Sequence, residues 1–425
     1  MVSKEQWVEI IKDFHEKELP NVIPRDIQIS LDIPINRAIT IIGPRRAGKT
    51  YVMYQLISEL LKKVSKQQIL YVNLEKSGLG IMTSKDLYLL LETFYELYPQ
   101  NKKSNTYFFL DEIHIVENWE GFVRTCIDDG LKICLSGSSS KMLSKEIATS
   151  MRGRSLSYQV FPFSFKEYLK AKNIPTINLS SSEKALVMNS FREYFTYGGY
   201  PETILFPQER EKILEEILEV TIYRDVIERT KIRNTKALKI LIDALVTSKE
   251  FSIHKFYNYL KTLGIKISKN TLYQYIEALN DAFFVFMLRK FAYSYKKAEQ
   301  SIPKPYIIDN GFYLTKGTEN KSLLMENLIY IELLRRKEDI AYYQYPGGEV
   351  DFLTKKAKKV TSLIQACYDT TDYDTKERET KALLHASQEF KCNNLQIITW
   401  DAEKEETMKN KKIKYTPLWK WLLSN

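Results

Sequence analysis

Eight consecutive residues, Gly43-Pro44-Arg45-Arg46-Ala47-Gly48-Lys49-Thr50, restrict this chain more than any other feature in it. They match G-x-x-x-x-G-K-[ST] in full, after an apolar run, Ala38–Ile42, and before a helical pattern from Thr50 to about Val64. In that context the glycines let backbone N–H groups converge on phosphate oxygens without a Cβ in the way. Lys49 is expected to reach the β- and γ-phosphates, and the Thr50 hydroxyl to ligate Mg²⁺. The helix that begins with Thr50 and Tyr51 turns its positive end toward the same phosphates. The expected ligands are ATP and Mg²⁺.

A second acidic element fits this loop. In TYFFLDEIHIVENWE a buried strand carries Asp111 to its C-terminal end, where a carboxylate holds Mg²⁺ through water. Glu112 follows at once and is expected to act as general base toward the attacking water. Ile69–Leu74, Thr106–Leu110 and Lys132–Leu135 read as further buried strands with helical patterns between them. Strands alternating with helices predict an α/β fold with a parallel sheet. The strand KICL runs into SGSSS, so Ser136 or Ser138 is a candidate sensor of the γ-phosphate, the alternative being a plain turn. Arg152 and Arg154 are candidates to donate charge to the γ-phosphate across a subunit boundary, the alternative being a solvated basic turn.

Taken together, Pro24-Arg25-Asp26, GPRRAGKT, FFLDEIH, LSGSSS, the MRGR turn with FPFSFKEYL, Gly198-Gly199-Tyr200-Pro201 and YRDVIERTKIRN make the chain resemble a known family. It is similar to archaeal and bacterial AAA+ ATPases of the STAND type that carry a C-terminal domain of restriction-endonuclease-like shape. The resemblance implies that Gly199 and Pro201 form a GxP-like element contacting the nucleotide from a helical lid. It also implies that Arg25 lies against the base or ribose. The implied division is an ATPase core over 1–180, a helical lid over 181–232, a winged helix over 233–295 and a nuclease-like domain over 296–425.

Beyond Glu183 the pattern becomes mostly helical, as in Glu209–Glu228 and Lys236–Thr247. From Ser252 the chain reads as helix, turn at Gly264, a second helix capped by Ser268, and a strand pair. In a winged helix Lys269, Asn270, Thr271, Tyr273 and Gln274 would face a major groove, and Lys266 with Lys269 the phosphates. A packing module between neighbouring domains explains the same pattern equally well.

In the tail, Glu326, Asp351 and Gln365 stand where a PD-(D/E)xK nuclease core places its metal-binding groups. The lysine position of that motif is Cys367, and a neutral thiol cannot stabilise a developing hydroxide. A nuclease-shaped domain without cleavage is therefore expected, unless a lysine such as Lys359 or Lys381 takes the role.

Composition narrows the partners. The net charge is +10 over 425 residues, which suits polyanions, although lysine-rich proteins with other roles share it. Four cysteines without CxxC spacing and four scattered histidines argue against a disulfide framework or a zinc site. The longest apolar run, Ala282–Leu288, is far too short to span a bilayer. The expectation is a cytoplasmic ATPase that acts on nucleic acid, DNA in particular, as a homo-oligomer at branched or repair intermediates. The alternatives are an ATP-gated signalling switch with a protein partner and an ATP-gated nuclease.

Overall fold

The apolar segments of the N-terminal part become β1 (Ala38–Ile42), β2 (Ile69–Asn73), β3 (Tyr107–Asp111) and β4 (Lys132–Gly137). A fifth strand, β5 (Ser155–Gln159), is only half-buried, which is why its sequence, SLSYQ, carries no strong apolar signal. Every pairing is parallel and the order is β2-β3-β4-β1-β5. A computed structural model describes residues 2–31, 36–76, 79–103, 105–138, 151–357 and 359–424. The last serines of the LSGSSS stretch, from 139 on, lie outside the described residues.

Helices α1 (Lys4–Glu16), α2 (Lys49–Leu60), α3 (Ser84–Leu97) and α4 (Trp119–Asp128) cover this sheet. Ser3 starts α1 through a capping box with Gln6, and Trp7, Ile11 and Phe14 form the helix's buried stripe. On α2, Val52, Met53, Leu56 and Ile57 pack with Ile39, Ile41 and Phe109. Each such side chain contributes about 1.5–3 kcal/mol on burial. Parallel pairing brings the carboxyl ends of β1 and β3 to one edge of the sheet, the edge at which open α/β sheets bind ligands.

Two compact units divide the chain, Met1–Phe161 and Pro162–Asn425. The second begins with helices α5 (Phe165–Ala171), α6 (Ser181–Tyr197), α7 (Pro201–Leu205) and α8 (Arg210–Val220). The expected single helix Glu209–Glu228 changes register. Beyond Val220 it continues as a π-helix over Thr221–Glu228, in which each turn admits an extra residue. Then come α9 (Thr235–Thr247), α10 (Ile253–Thr262) and α11 (Lys269–Asp281), the last capped by Ser268, whose hydroxyl accepts the Thr271 N–H.

The strand after α11, β6 (Val285–Leu288), pairs antiparallel with β7 (Lys304–Ile307), well past the end of the strand pair read from sequence. Residues 289–303 form the connection between the two. The tail is an additional α/β domain with a mixed six-stranded sheet. Its strands are β8 (Asp339–Tyr345), β9 (Gly348–Lys356), β10 (Lys359–Cys367), β11 (Leu395–Thr399), β12 (Lys404–Met408) and β13 (Lys411–Pro417). Two long helices of this domain, Lys321–Arg335 and Tyr373–Phe390, carry apolar faces, and Leu383 and Ala386 of the second join Leu363, Ile397 and Ile413 in one core.

Candidate nucleotide site

The loop from Gly43 to Gly48 leaves β1 and enters α2 at Lys49. Its turn needs left-handed backbone at Arg46 (φ 60°) and Gly48 (φ 93°). A Cβ on Gly43 would collide with the carbonyl oxygen of Val160, so β5's exit walls the loop on one side. Arg25, far upstream in sequence, is buried behind it. Its guanidinium donates to the carbonyls of Ala47 (2.8 Å) and Phe161 (2.7 Å), so it braces the loop backbone. Arg45 pairs with Glu75 at 3.1 Å, while Tyr51 lies half-exposed on the first turn of α2.

The Lys49 side chain is buried and folds over the loop, donating to the carbonyls of Gly43 and Pro44 at 3.2 Å each. Its ammonium also lies 3.4 Å from Glu112 Oε1. Thr50 Oγ1 donates to Asp111 Oδ2 at 2.7 Å. The same oxygen accepts from Tyr71 at 3.0 Å, and the Ser136 hydroxyl donates to Oδ1. Ser136 in turn accepts the Glu112 N–H at 2.9 Å. It therefore aligns both acidic residues, and Ser138 is buried just past the end of the same strand.

The two carboxylates are tuned in opposite directions. Burial raises the Asp111 pKa, and the hydrogen bonds from Ser136 and Thr50 only partly offset it. For Glu112, burial also pushes upward, but Lys49 leads the charges that outweigh it and hold the carboxyl at about 2. Glu112 sits in left-handed backbone, φ 55° and ψ 47°, an uncommon conformation for a glutamate and one that concentrates at functional sites. Its Oε2 is buried and lies 3.2 Å from His114 Nδ1, without the alignment of a hydrogen bond. A hydroxyl, a buried carboxylate and a second carboxylate oxygen without a hydrogen-bond partner are hard oxygen donors, and they fit Mg²⁺.

Some other expected site residues have partners of their own. Arg152 is exposed with φ 50°, and Arg154 pairs with Asp128. Gly199 belongs to the second unit, where its N–H donates to Asp309 Oδ2 (2.7 Å) and its carbonyl accepts from the Phe163 N–H (2.7 Å). A Cβ on Gly198 would overlap the Asp309 carboxylate and one on Gly199 the Phe163 carbonyl, so packing alone demands both glycines. Pro201 is the first residue of α7.

The C-terminal domain holds a cluster that sequence reading missed. Glu326 and Asp351 do come together, but around Lys304 from β7. Its ammonium is 2.5 Å from Glu349, 3.3 Å from Glu326 and 3.5 Å from Asp351. Burial opposes this charge, and the three carboxylates, Glu326 first, raise its pKa well above the usual lysine value. Gln365 accepts the Asp351 N–H at 2.7 Å and donates to Glu379 at 2.5 Å. Cys367 is buried, with burial lifting its thiol to about 11, and Lys381 pairs with Glu377. Among the described residues, no group of three histidine, cysteine or acidic side chains is arranged to hold a metal ion.

A parallel sheet with this loop, lysine and acidic pair at its carboxyl edge defines an AAA-type P-loop ATPase domain, and an AAA domain family (AAA_14) matches residues 35–169. The chain belongs to the family of the Methanocaldococcus jannaschii "Uncharacterized protein MJ1544", with 40% identity over 95% of this chain and 91% of the relative. A Haemophilus influenzae relative described as "Uncharacterized protein" is 27% identical over 92% of each chain. A second family, a domain of unknown function (DUF8612), matches residues 188–321. Among solved structures, Aeropyrum pernix ORC1 in complex with DNA is similar at a TM-score of 0.30, with 11% identity, covering 79% of this chain and 93% of that one. Pyrobaculum aerophilum Cdc6p gives 0.27 and 11%, covering 69% and 88%, and both likenesses are too distant to argue from. No described helix is long and apolar enough to cross a membrane.

Proposed function

We propose that the chain is a cytoplasmic, Mg²⁺-dependent ATPase of the AAA+/STAND type that couples ATP turnover to action on nucleic acid, DNA in particular, as a homo-oligomer. The observation that carries this reading is the meeting of Lys49, Thr50, Asp111 and Glu112 at one edge of the sheet. Lys49 binds the β- and γ-phosphates, and a triphosphate gives its ammonium a stronger partner than Glu112. The freed Glu112 carboxylate accepts a proton from the attacking water. Bound Mg²⁺, held by Thr50 and by Asp111, would neutralise charge on the phosphates. Arg25 and Ser136 keep the loop and the acidic pair in place. Ser138 and, from a neighbouring subunit, Arg152 and Arg154 complete the nucleotide's surroundings in this reading.

The nucleic-acid part of the reading is supported by α9–α11 with β6 and β7, a winged-helix order of elements. Tyr273 on α11 is 56% exposed, and Lys269 at its N-terminus hydrogen-bonds His254 at 2.7 Å. In the tail, Lys304 among the carboxylates and Cys367 in place of a lysine support a nuclease shape without cleavage.

The test is steady-state ATP hydrolysis by the full chain, alone and with single-stranded, duplex and four-way-junction DNA, using Glu112→Gln as control. Stimulation by one DNA form is the expected result. Slow turnover indifferent to every DNA would move the protein-partnered switch into first place.

A further inference from the structure

The connection between β6 and β7 is unlike the packed chain around it. It carries the sequence RKFAYSYKKAEQSIP, and its two tyrosines, Tyr293 and Tyr295, are 83% and 81% exposed. Leaving rings of this size in water forgoes the stabilisation that burial gives elsewhere in the unit. The segment is nonetheless pinned. The Phe291 N–H donates to the Tyr342 carbonyl at 2.7 Å, and the Tyr342 N–H donates back to the Arg289 carbonyl at 3.2 Å. Phe291 stands edge-on to Phe390 (5.0 Å between centroids) and to Tyr293 (5.2 Å).

Beneath Tyr293 runs an open groove of about 420 Å³, walled by Phe291 and Phe390 and rimmed by Lys356, Lys359 and Lys391. That volume lies within the range of about 300–1,000 Å³ typical of small-ligand sites. Among the described residues none of these lysines forms an ion pair, whereas Lys355 next door pairs with Asp339 and Lys381 with Glu377. The acidic group lining the groove, Glu389, accepts a hydrogen bond from Tyr343. Three lysines and one glutamate thus line the groove beside an exposed aromatic ring, and Lys296 and Lys297 follow Tyr295 in the chain.

We propose that this groove and the 289–303 connection form a second nucleic-acid site, one that takes an unpaired strand: a base stacks on Tyr293 and its flanking phosphates meet Lys356, Lys359 and Lys391. The proposal rests on the nucleic-acid reading given above. The chemistry selects a single strand because a base inside a duplex is already stacked on both faces and offers none to a tyrosine. Unpaired bases are held by aromatic platforms beside basic grooves without regard to sequence. The site uses none of the residues of α11, the helix that in the reading above would enter a duplex's major groove.

The test uses the full chain and two fluorescent probes, a single-stranded oligothymidylate bearing one 2-aminopurine and a duplex of equal length, at one fixed salt concentration. Binding is followed by anisotropy, and stacking by quenching of the 2-aminopurine. Tyr293→Leu, at an exposed position, is expected to weaken single-strand binding about 5- to 150-fold, the range for losing one base–aromatic stack. It should abolish the quenching and leave duplex binding unchanged. Lys359→Glu should weaken single-strand binding in the same selective way, and Lys269→Glu on α11 should weaken the duplex instead. If Tyr293→Leu binds the single strand like wild type, or weakens both probes equally, this site is refuted while the nucleic-acid reading stands. If the wild-type chain binds neither probe, both fall together.

Discussion

Replacing Lys304 by methionine keeps most of the side chain's volume and removes only its charge. The ammonium is 5% exposed, and its partners Glu326 and Asp351 are 14% and 17% exposed, so water screens these contacts little. Glu349, closer at 2.5 Å, is 30% exposed and counts for less. Burial and the charge of Glu326 already raise the Asp351 carboxyl above the usual carboxylate range, with Lys304 pulling the other way. Without the lysine, carboxylates held together lose their common counter-ion, a change of the kind that costs about 3–5 kcal/mol. At about 2–4 °C per kcal/mol for a unit near this size, the melting temperature should fall by roughly 6–20 °C. Urea unfolding followed by tryptophan fluorescence, with Trp400, Trp419 and Trp421 reporting on this unit, measures the loss. Neutralising the partners as well, by Glu326→Gln and Asp351→Asn, should recover most of it. A loss below about 1 kcal/mol, or no recovery in the triple variant, would refute the view that Lys304 neutralises a charged cluster.

Three further outcomes are expected. Lys49→Ala should abolish ATP binding in equilibrium titrations, and a variant that binds normally would contradict the assignment of the loop. Glu112→Gln should bind ATP yet turn it over at least about 100-fold more slowly, and an unchanged rate would mean that another group orients the water. Asp309, a buried residue, has its carboxyl raised from 3.8 to about 7 by burial, against the pull of the Gly199 and Gly311 N–H groups. The folded state therefore binds that proton more tightly. The stability it confers is fully present below about pH 4 and is lost as pH rises through about 7, by about 4 kcal/mol in all. Asp309→Asn should flatten this slope in urea unfolding of the second unit, and a slope unchanged in the variant would rule Asp309 out as its source.

The nucleotide edge was legible because its parts are local. Strand, glycine turn and lysine are contiguous, and Asp111 and Glu112 end a strand whose apolar run is plain. Arg25 was legible only as a resemblance to be tested, because its grip on Ala47 and Phe161 depends on how distant segments fold together. Lys304 was not legible at all. Motif reasoning looked for a lysine two residues beyond Gln365, whereas the ammonium arrives from a hairpin strand earlier in the chain, and no periodicity in sequence encodes that meeting. Strands β5 and β12 escaped for a simpler reason. They have no fully buried residue, so their sequences lack the apolar run by which buried strands are read. The turn of π-helix after Val220 escaped because apolar spacing fixes a helical face but not where an extra residue enters.

One arrangement at the edge of the first unit has a mechanical consequence. The Val160 N–H donates to the Ile42 carbonyl at 2.7 Å, the Val160 carbonyl abuts Gly43, and the carbonyl of Phe161 holds Arg25. The next residue, Pro162, opens the second unit. The strand end Val160–Phe161 is thus spliced into the wall of the phosphate loop. A pull on Phe161 strains the loop through Val160 and Arg25, and a loop tightened on phosphate stiffens this strand end in turn.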